Sequence, residues 1–225
     1  MRRLILLMLL ISIGVPLGSC ATQSSAPVYV KDGKEYGKVR GTFRHRWWNY
    51  YERGLSYADG EFYQEALGDL HQAVRQRDAD QRMARTYGMH FVDYFPHREL
   101  GVVYYQVGDL DAAKTELELS LSQYDTAKAR FYLDRVRKGL MEREAQVGTP
   151  PRLSLDFPSP ELWTKADPVV VSGVAEDDQY VSGISISGVP LFLQGSEKRI
   201  SFGEELELSQ GRHVVAVEAE NLLEA

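Results

Sequence analysis

The hydrophobic period of this chain changes once, and that change limits what it can fold into. Ahead of Pro150, Pro151, Pro158 and Pro160 the apolar residues recur every three or four positions; beyond them they alternate or cluster in short β-branched runs. A chain with that switch folds as helices first and strands second. Its 225 residues suffice for a separate core in each part.

Four apolar stripes mark the helical part. They are Phe62, Ala66, Leu70 and Ala73; Met83, Tyr87, Phe91 and Tyr94; Ala113, Leu117 and Leu121; and Ala129, Leu133, Val136 and Leu140. The second stripe predicts a helix over 78–95. Asp59-Gly60, Pro96, Gly108-Asp109 and Asp125-Thr126 break the pattern, with Asp109 and Thr126 placed as N-caps.

The pattern also repeats. Tyr50, Gly54, Tyr57, Ala66, Leu70 and Ala73 have the same spacings as His97, Gly101, Tyr104, Ala113, Leu117 and Ser120. This order of aromatic, Gly, Tyr, Ala, large apolar and small resembles the tetratricopeptide repeat, in which two antiparallel helices approach over small residues. The resemblance covers about Trp47 to Val136, and the helix from Thr126 resembles the capping helix of such arrays. Gly54 and Gly101 stand 47 residues apart against a family period of about 34. The resemblance implies a concave face lined by Trp48, Tyr51, Leu55, Ala58 and Asp59 in the first repeat and by Phe95, Arg98, Val102, Tyr105 and Gln106 in the second. Of these, Trp48, Tyr51, Leu55, Arg98, Val102 and Tyr105 are the expected partner-binding residues, aromatics with one Arg being a common composition of protein-binding hot spots.

In the strand part, Asp177-Asp178, Gly188, Gly195-Ser196, Gly203 and Gly211 separate short alternating runs. The phrases VVVSGVAEDD, ISISGVPL and GRHVVAVEAEN resemble strands B, C and F of bacterial immunoglobulin-like domains, which implies a β-sandwich. Only Leu222 to Ala225 follow Asn221, too few for a strand G. The expectation is a longer protein or a partner that donates the missing strand.

At the other end, Arg2 and Arg3, the apolar run Leu4 to Ile13 and the small residues before Cys20 have the layout of an export signal. Leu17-Gly18-Ser19-Cys20 resembles the lipobox of bacterial lipoproteins, which implies cleavage before Cys20 and its acylation. Cys20 is the only cysteine, so no disulfide competes for it; an ordinary secretory signal is the alternative. Ala21 stands where the resemblance would place an inner-membrane retention Asp, which points to the periplasmic face of the outer membrane.

Removing residues 1–19 takes away two arginines, leaving 24 basic against 32 acidic residues, a net charge of −8. From Pro150 onward there are 5 Lys or Arg and 13 Asp or Glu, so the strand part carries the whole imbalance. That balance argues against nucleic acid as a partner. No Ser lies in a Gly-x-Ser-x-Gly elbow, and Gly33 to Lys38 is too short for a phosphate loop and lacks its Ser or Thr. His45, His71, His90, His97 and His213 include no pair at i, i+4; His90 with His97, and the acids Glu176-Asp177-Asp178, are the weak metal candidates.

The expected organisation is a signal at 1–19, a lipidated tether at 20–42, an all-α tetratricopeptide-like domain at 43–148 and, at 149–225, an immunoglobulin-like sandwich lacking its last strand. The expected function is that of a non-enzymatic scaffold, held on the membrane by its N-terminal lipid and bound to another envelope protein, with no cofactor and no metal. An envelope glycan binder, or the front part of a longer enzyme, is the alternative.

Overall fold

The computed structural model describes residues 26–157 and 161–225, so the leader and Cys20 lie outside the described residues. Among the described residues five helices precede the antiparallel sheet built from residues beyond Pro150, as the change of period requires. Helices α1 (Trp47–Asp59) and α2 (Tyr63–Gln76) form one antiparallel hairpin, and α3 (Pro96–Gln106) and α4 (Leu110–Gln123) a second; α5 (Ala127–Arg143) packs on α4 and α3.

Local chemistry fixes these boundaries. Pro96 opens α3 at the position where its missing N–H costs nothing. Asp109 accepts the Ala112 N–H at 3.1 Å and Thr126 accepts that of Ala129 at 3.3 Å, the two caps expected from the sequence. Within the hairpins, glycines set how closely the helices approach. A Cβ on Gly54 would lie 3.0 Å from Leu70 Cγ, and one on Gly101 2.5 Å from Leu117 Cγ. One core gathers Trp47, Tyr51, Tyr57, Leu70, Tyr94 and Leu100; a second, around α4 and α5, gathers Ala113, Leu117, Leu133 and Val136.

Two expectations fail in this half. Residues 78–95 are not helical: β3 (Gln81–Arg85) and β4 (Phe91–Tyr94) pair antiparallel, with a bulge between Gln81 and Ala84. Of the supposed stripe only Tyr94 is buried, and the true inward face is Ala84, Val92 and Tyr94. The second failure is the tether. β1 (Tyr29–Lys31) and β2 (Lys34–Tyr36) form a hairpin across Asp32-Gly33, both at positive φ, as a two-residue turn of the primed type demands. This hairpin is docked on the helices, since Tyr29 stacks on Phe62 at 4.3 Å and the Tyr57 hydroxyl donates to Pro27 O at 2.5 Å. Gly37, at φ +85°, sits so close to Tyr57 that a Cβ there would fall 2.4 Å from its ring.

The strand part is a single sheet built on β6 (Val169–Ile186). The runs expected as strands B and C are therefore one strand, bulged near Tyr180, which has φ +66°. Along one edge of β6 run β7 (Val189–Pro190) and then β8 (Glu197–Leu206); along the other, β9 (Val217–Asn221) and β5 (Arg152–Leu155) lie end to end. Only the last part of GRHVVAVEAEN is strand. Ala175, Val181 and Ile184 centre a small core with Leu153, Leu191, Leu193, Ile200 and Phe202 around it.

The outer side of α5, which a capping helix would turn to solvent, meets this sheet instead. Asp134 accepts the Ser196 N–H at 3.1 Å, Arg137 donates to Ser196 O at 3.2 Å and lies 4.2 Å from the Tyr180 ring centre, and Lys138 pairs with Glu224.

Candidate partner-binding face

Helical spacing puts Trp48, Tyr51 and Leu55 on one side of α1, and Arg98, Val102 and Tyr105 on one side of α3. Burial divides them. Trp48, Leu55, Arg98, Val102 and Tyr105 are half-buried, whereas Tyr51 is only 5% exposed and belongs to the core. The expectation that Tyr51 meets a partner is thus corrected: its ring lies 4.8 Å from Tyr94, its hydroxyl accepts the Phe95 N–H at 3.2 Å, and burial raises its pKa. The hairpin at 81–94 causes this, because Tyr94 fills the space in front of Tyr51 and Trp47.

The residues that remain are fixed by their neighbours. Arg98 spreads over the Phe95 ring at 4.1 Å and pairs with Glu99 at 2.8 Å; Lys128 of α5 reaches the other oxygen of that carboxylate at 2.6 Å. Glu99 is buried, so two cations hold its charge. Tyr105 meets Tyr132 edge-on at 5.6 Å, continuing the aromatic strip from α3 onto α5. Trp48 stands against Trp47 at 5.4 Å and reaches Tyr87 of the 81–94 hairpin at 6.3 Å.

Beneath the face lies a polar cluster that the sequence patterns did not point to. Asp80, buried just ahead of β3, accepts the N–H of His97 at 3.0 Å and of Arg98 at 3.3 Å, and the hydroxyl of Ser120 at 2.6 Å. It satisfies the open end of α3 from 17 and 18 residues away. Burial raises its pKa against the lowering effect of those hydrogen bonds. His97 is flanked by Glu116 at 2.6 Å on Nδ1 and by Asp78 O at 2.8 Å on Nε2. Burial alone would lower its pKa, but these acceptors outweigh it and hold the ring at about 9. His97 is therefore a charged strut at neutral pH. The Ser120 hydroxyl turns to Asp80, and both His97 nitrogens are occupied elsewhere, so Ser120 and His97 do not form a nucleophile–base pair.

The metal candidates do not assemble among the described residues. His90 sits exposed near the tip of the β3–β4 hairpin while His97 is buried in the strut. Glu176 pairs with Arg199, Asp178 lies 3.7 Å from Lys198, and Asp177 accepts from Gln179 N and from Asn221 Nδ2. Two clefts remain. One, of about 230 Å³, lies between α5 and Gly195–Glu197. A larger one, of about 510 Å³, is lined by Leu191, Phe192, Leu206 and Val214 together with Glu204, Glu205 and Glu207. No protein-family model matches the chain, and no curated protein matches it either.

Proposed function

We propose that this chain is a lipid-anchored scaffold of the bacterial envelope that holds another protein on the face shared by α1, α3 and α5, without catalysis. The observation that carries this reading is that Leu55, Val102, Tyr105 and Tyr132, with Trp48 and the clamped Arg98, are half-buried on α1, α3 and α5, Tyr105 meeting Tyr132 edge-on. Rigid aromatics beside an oriented guanidinium are an economical binding surface, since little side-chain freedom is lost on contact. The anchor is acylated Cys20, and the place is the periplasmic face of the outer membrane.

On the same reading the two helical hairpins are tetratricopeptide-like units, supported by the equivalent approaches of Gly54 to Leu70 and Gly101 to Leu117. The immunoglobulin-like assignment of 149–225 draws support from its strand content alone. Crosslinking in native envelopes with Cys20 intact tests the function. One defined protein should be captured from positions 48, 98 and 105, and Arg98→Ala with Tyr105→Ala should weaken the capture at least tenfold. Retention on isolated peptidoglycan, with no protein captured, would replace the scaffold by a glycan binder.

A further inference from the structure

The β3–β4 hairpin is held rigidly at its base and left bare at its tip. At the base, Tyr94 packs 4.5 Å from the Trp47 ring and its hydroxyl donates to Arg77 O at 2.6 Å, while Ala84 is fully buried. Toward the tip, Met83 is 62% exposed, Tyr87 60%, Met89 82% and Phe91 41%. Four large apolar side chains within nine residues thus stand in water on a ribbon only two strands wide, and none is needed by the core.

Cations accompany them. Arg82 and Arg85 lie on β3; the Arg85 Nε donates to Gly88 O at 2.6 Å, which keeps its guanidinium at the tip. Arg44 and Arg46 are exposed just ahead of α1, whose Trp48 touches Tyr87. Among the described residues Arg44, Arg46 and Arg85 have no carboxylate partner, and Arg82 has only Asp93 at 3.9 Å. On a chain of net charge −8 after removal of residues 1–19, this is a local reversal of sign.

We propose that this hairpin tip rests in the headgroup layer of an anionic phospholipid bilayer, a proposal that depends on the lipid-anchor reading of Cys20. Apolar and aromatic side chains would enter the boundary with the acyl chains while the arginines meet phosphates. The anchor favours lipid over a protein as the occupant, because it keeps the tip beside a bilayer at high effective concentration. The geometry permits it. Pro27 lies seven positions after Cys20, a reach of up to about 25 Å. Pro27 is fixed at the C-terminal end of α1 by Tyr57, and the 13 residues of α1 cover about 20 Å to the end that carries the β3–β4 hairpin. Anchor and tip can therefore meet one surface.

The test uses the lipidated protein in vesicles of equal parts phosphatidylcholine and phosphatidylglycerol. With Cys20 acylated, Met89→Cys supplies the single free thiol for an environment-sensitive fluorophore, and Glu118→Cys on α4 supplies a control. The fluorophore at position 89 should shift to the blue and be quenched by nitroxide-labelled lipid, and that at 118 should not. Arg82→Glu with Arg85→Glu should reduce the quenching several-fold, as should vesicles of phosphatidylcholine alone. Position 89 remaining as unquenched as 118 overturns the proposal. So does capture of an envelope protein in place of lipid by a photocrosslinker at position 89 in native envelopes, which would make the hairpin a protein-docking element. Labelling of Cys20 itself would instead show that the anchor reading has failed.

Discussion

The carboxylate of Asp80 caps α3 in place of a local residue, its Oδ1 standing 3.0 Å from the backbone nitrogen of His97. Phe95 occupies the N-cap position and has no side chain for the task. The hairpin that separates the two repeats is thus tied to the second repeat by the residue that precedes it.

Asp80→Ala should lower the stability of the helical part by about 2–4 kcal/mol, since it leaves two helix-end N–H groups and the Ser120 hydroxyl without their acceptor. Asp80→Asn keeps one acceptor oxygen and should cost less. Urea unfolding followed by tryptophan fluorescence measures both; equal stability of Asp80→Ala and the parent would refute the cap.

His97 makes stability depend on pH. Its proton is bound more tightly in the folded chain, so the contribution is complete below about pH 6.5 and is lost as pH rises through about 9. Glu116, Asp78 and Asp80 are the acids around it, and the loss should amount to roughly 2–3 kcal/mol. In His97→Gln the melting temperature should be lower at pH 6 and much flatter between pH 6 and 9.5. An unchanged slope would place the titration elsewhere.

Gly54 and Gly101 are equivalent in sequence yet should respond differently to alanine. Both contacts are fully buried, but at Gly101 the new Cβ meets Leu117 Cγ at 2.5 Å, whereas at Gly54 the distance to Leu70 Cγ is 3.0 Å. Gly101→Ala should destabilise by about 1–3 kcal/mol. For Gly54→Ala the gain in helix propensity, about 1 kcal/mol, should offset most of the strain. Thermal melts of the two variants side by side give the comparison; a Gly54→Ala that costs more than Gly101→Ala contradicts it.

Arg137 links the helices to the sheet through Ser196 and Tyr180, and its Nε is the one buried side-chain donor without a partner among the described residues. Arg137→Ala should uncouple the two parts, splitting one thermal transition into two and speeding protease cleavage within 144–168. Lys cannot reproduce the planar contact with Tyr180 together with the bond to Ser196, so Arg137→Lys should rescue little. A single unsplit transition in Arg137→Ala would count against the link.

Much of the helical order was legible because it depends on local signals: the stripes around Leu70, Leu117 and Leu133, the caps at Asp109 and Thr126, and Pro96 all appear where expected. The 81–94 hairpin was not legible, since Met83, Tyr87, Phe91 and Tyr94 happen to fall at helical spacing although only Tyr94 is inside. Strand alternation of Ala84, Val92 and Tyr94 with a Gly88 turn was the competing signal, and it was short. Asp32-Gly33 between Lys31 and Lys34 was a readable turn in the supposed tether. On the face itself, Trp48, Arg98 and Tyr105 are half-buried, and the full burial of Tyr51 depends on a tertiary neighbour that spacing within its own helix cannot reveal.

The arrangement around β6 also imposes an order in time. β5 and β9 share one edge of that strand although more than sixty residues separate them, and the join is closed where Asn221, 1% exposed, donates to Thr149 O at 2.8 Å. A chain emerging N-terminus first presents five helices able to pack at once, then eighteen residues of β6 whose partners β8 and β9 have yet to appear. Until residues 197–221 follow, an alternating strand with Val171, Val181 and Ile184 waits uncovered. The sheet is thus the slow, vulnerable step of biogenesis, and a chaperone or protease that acts on the newly made chain would meet it there before it could meet the helices.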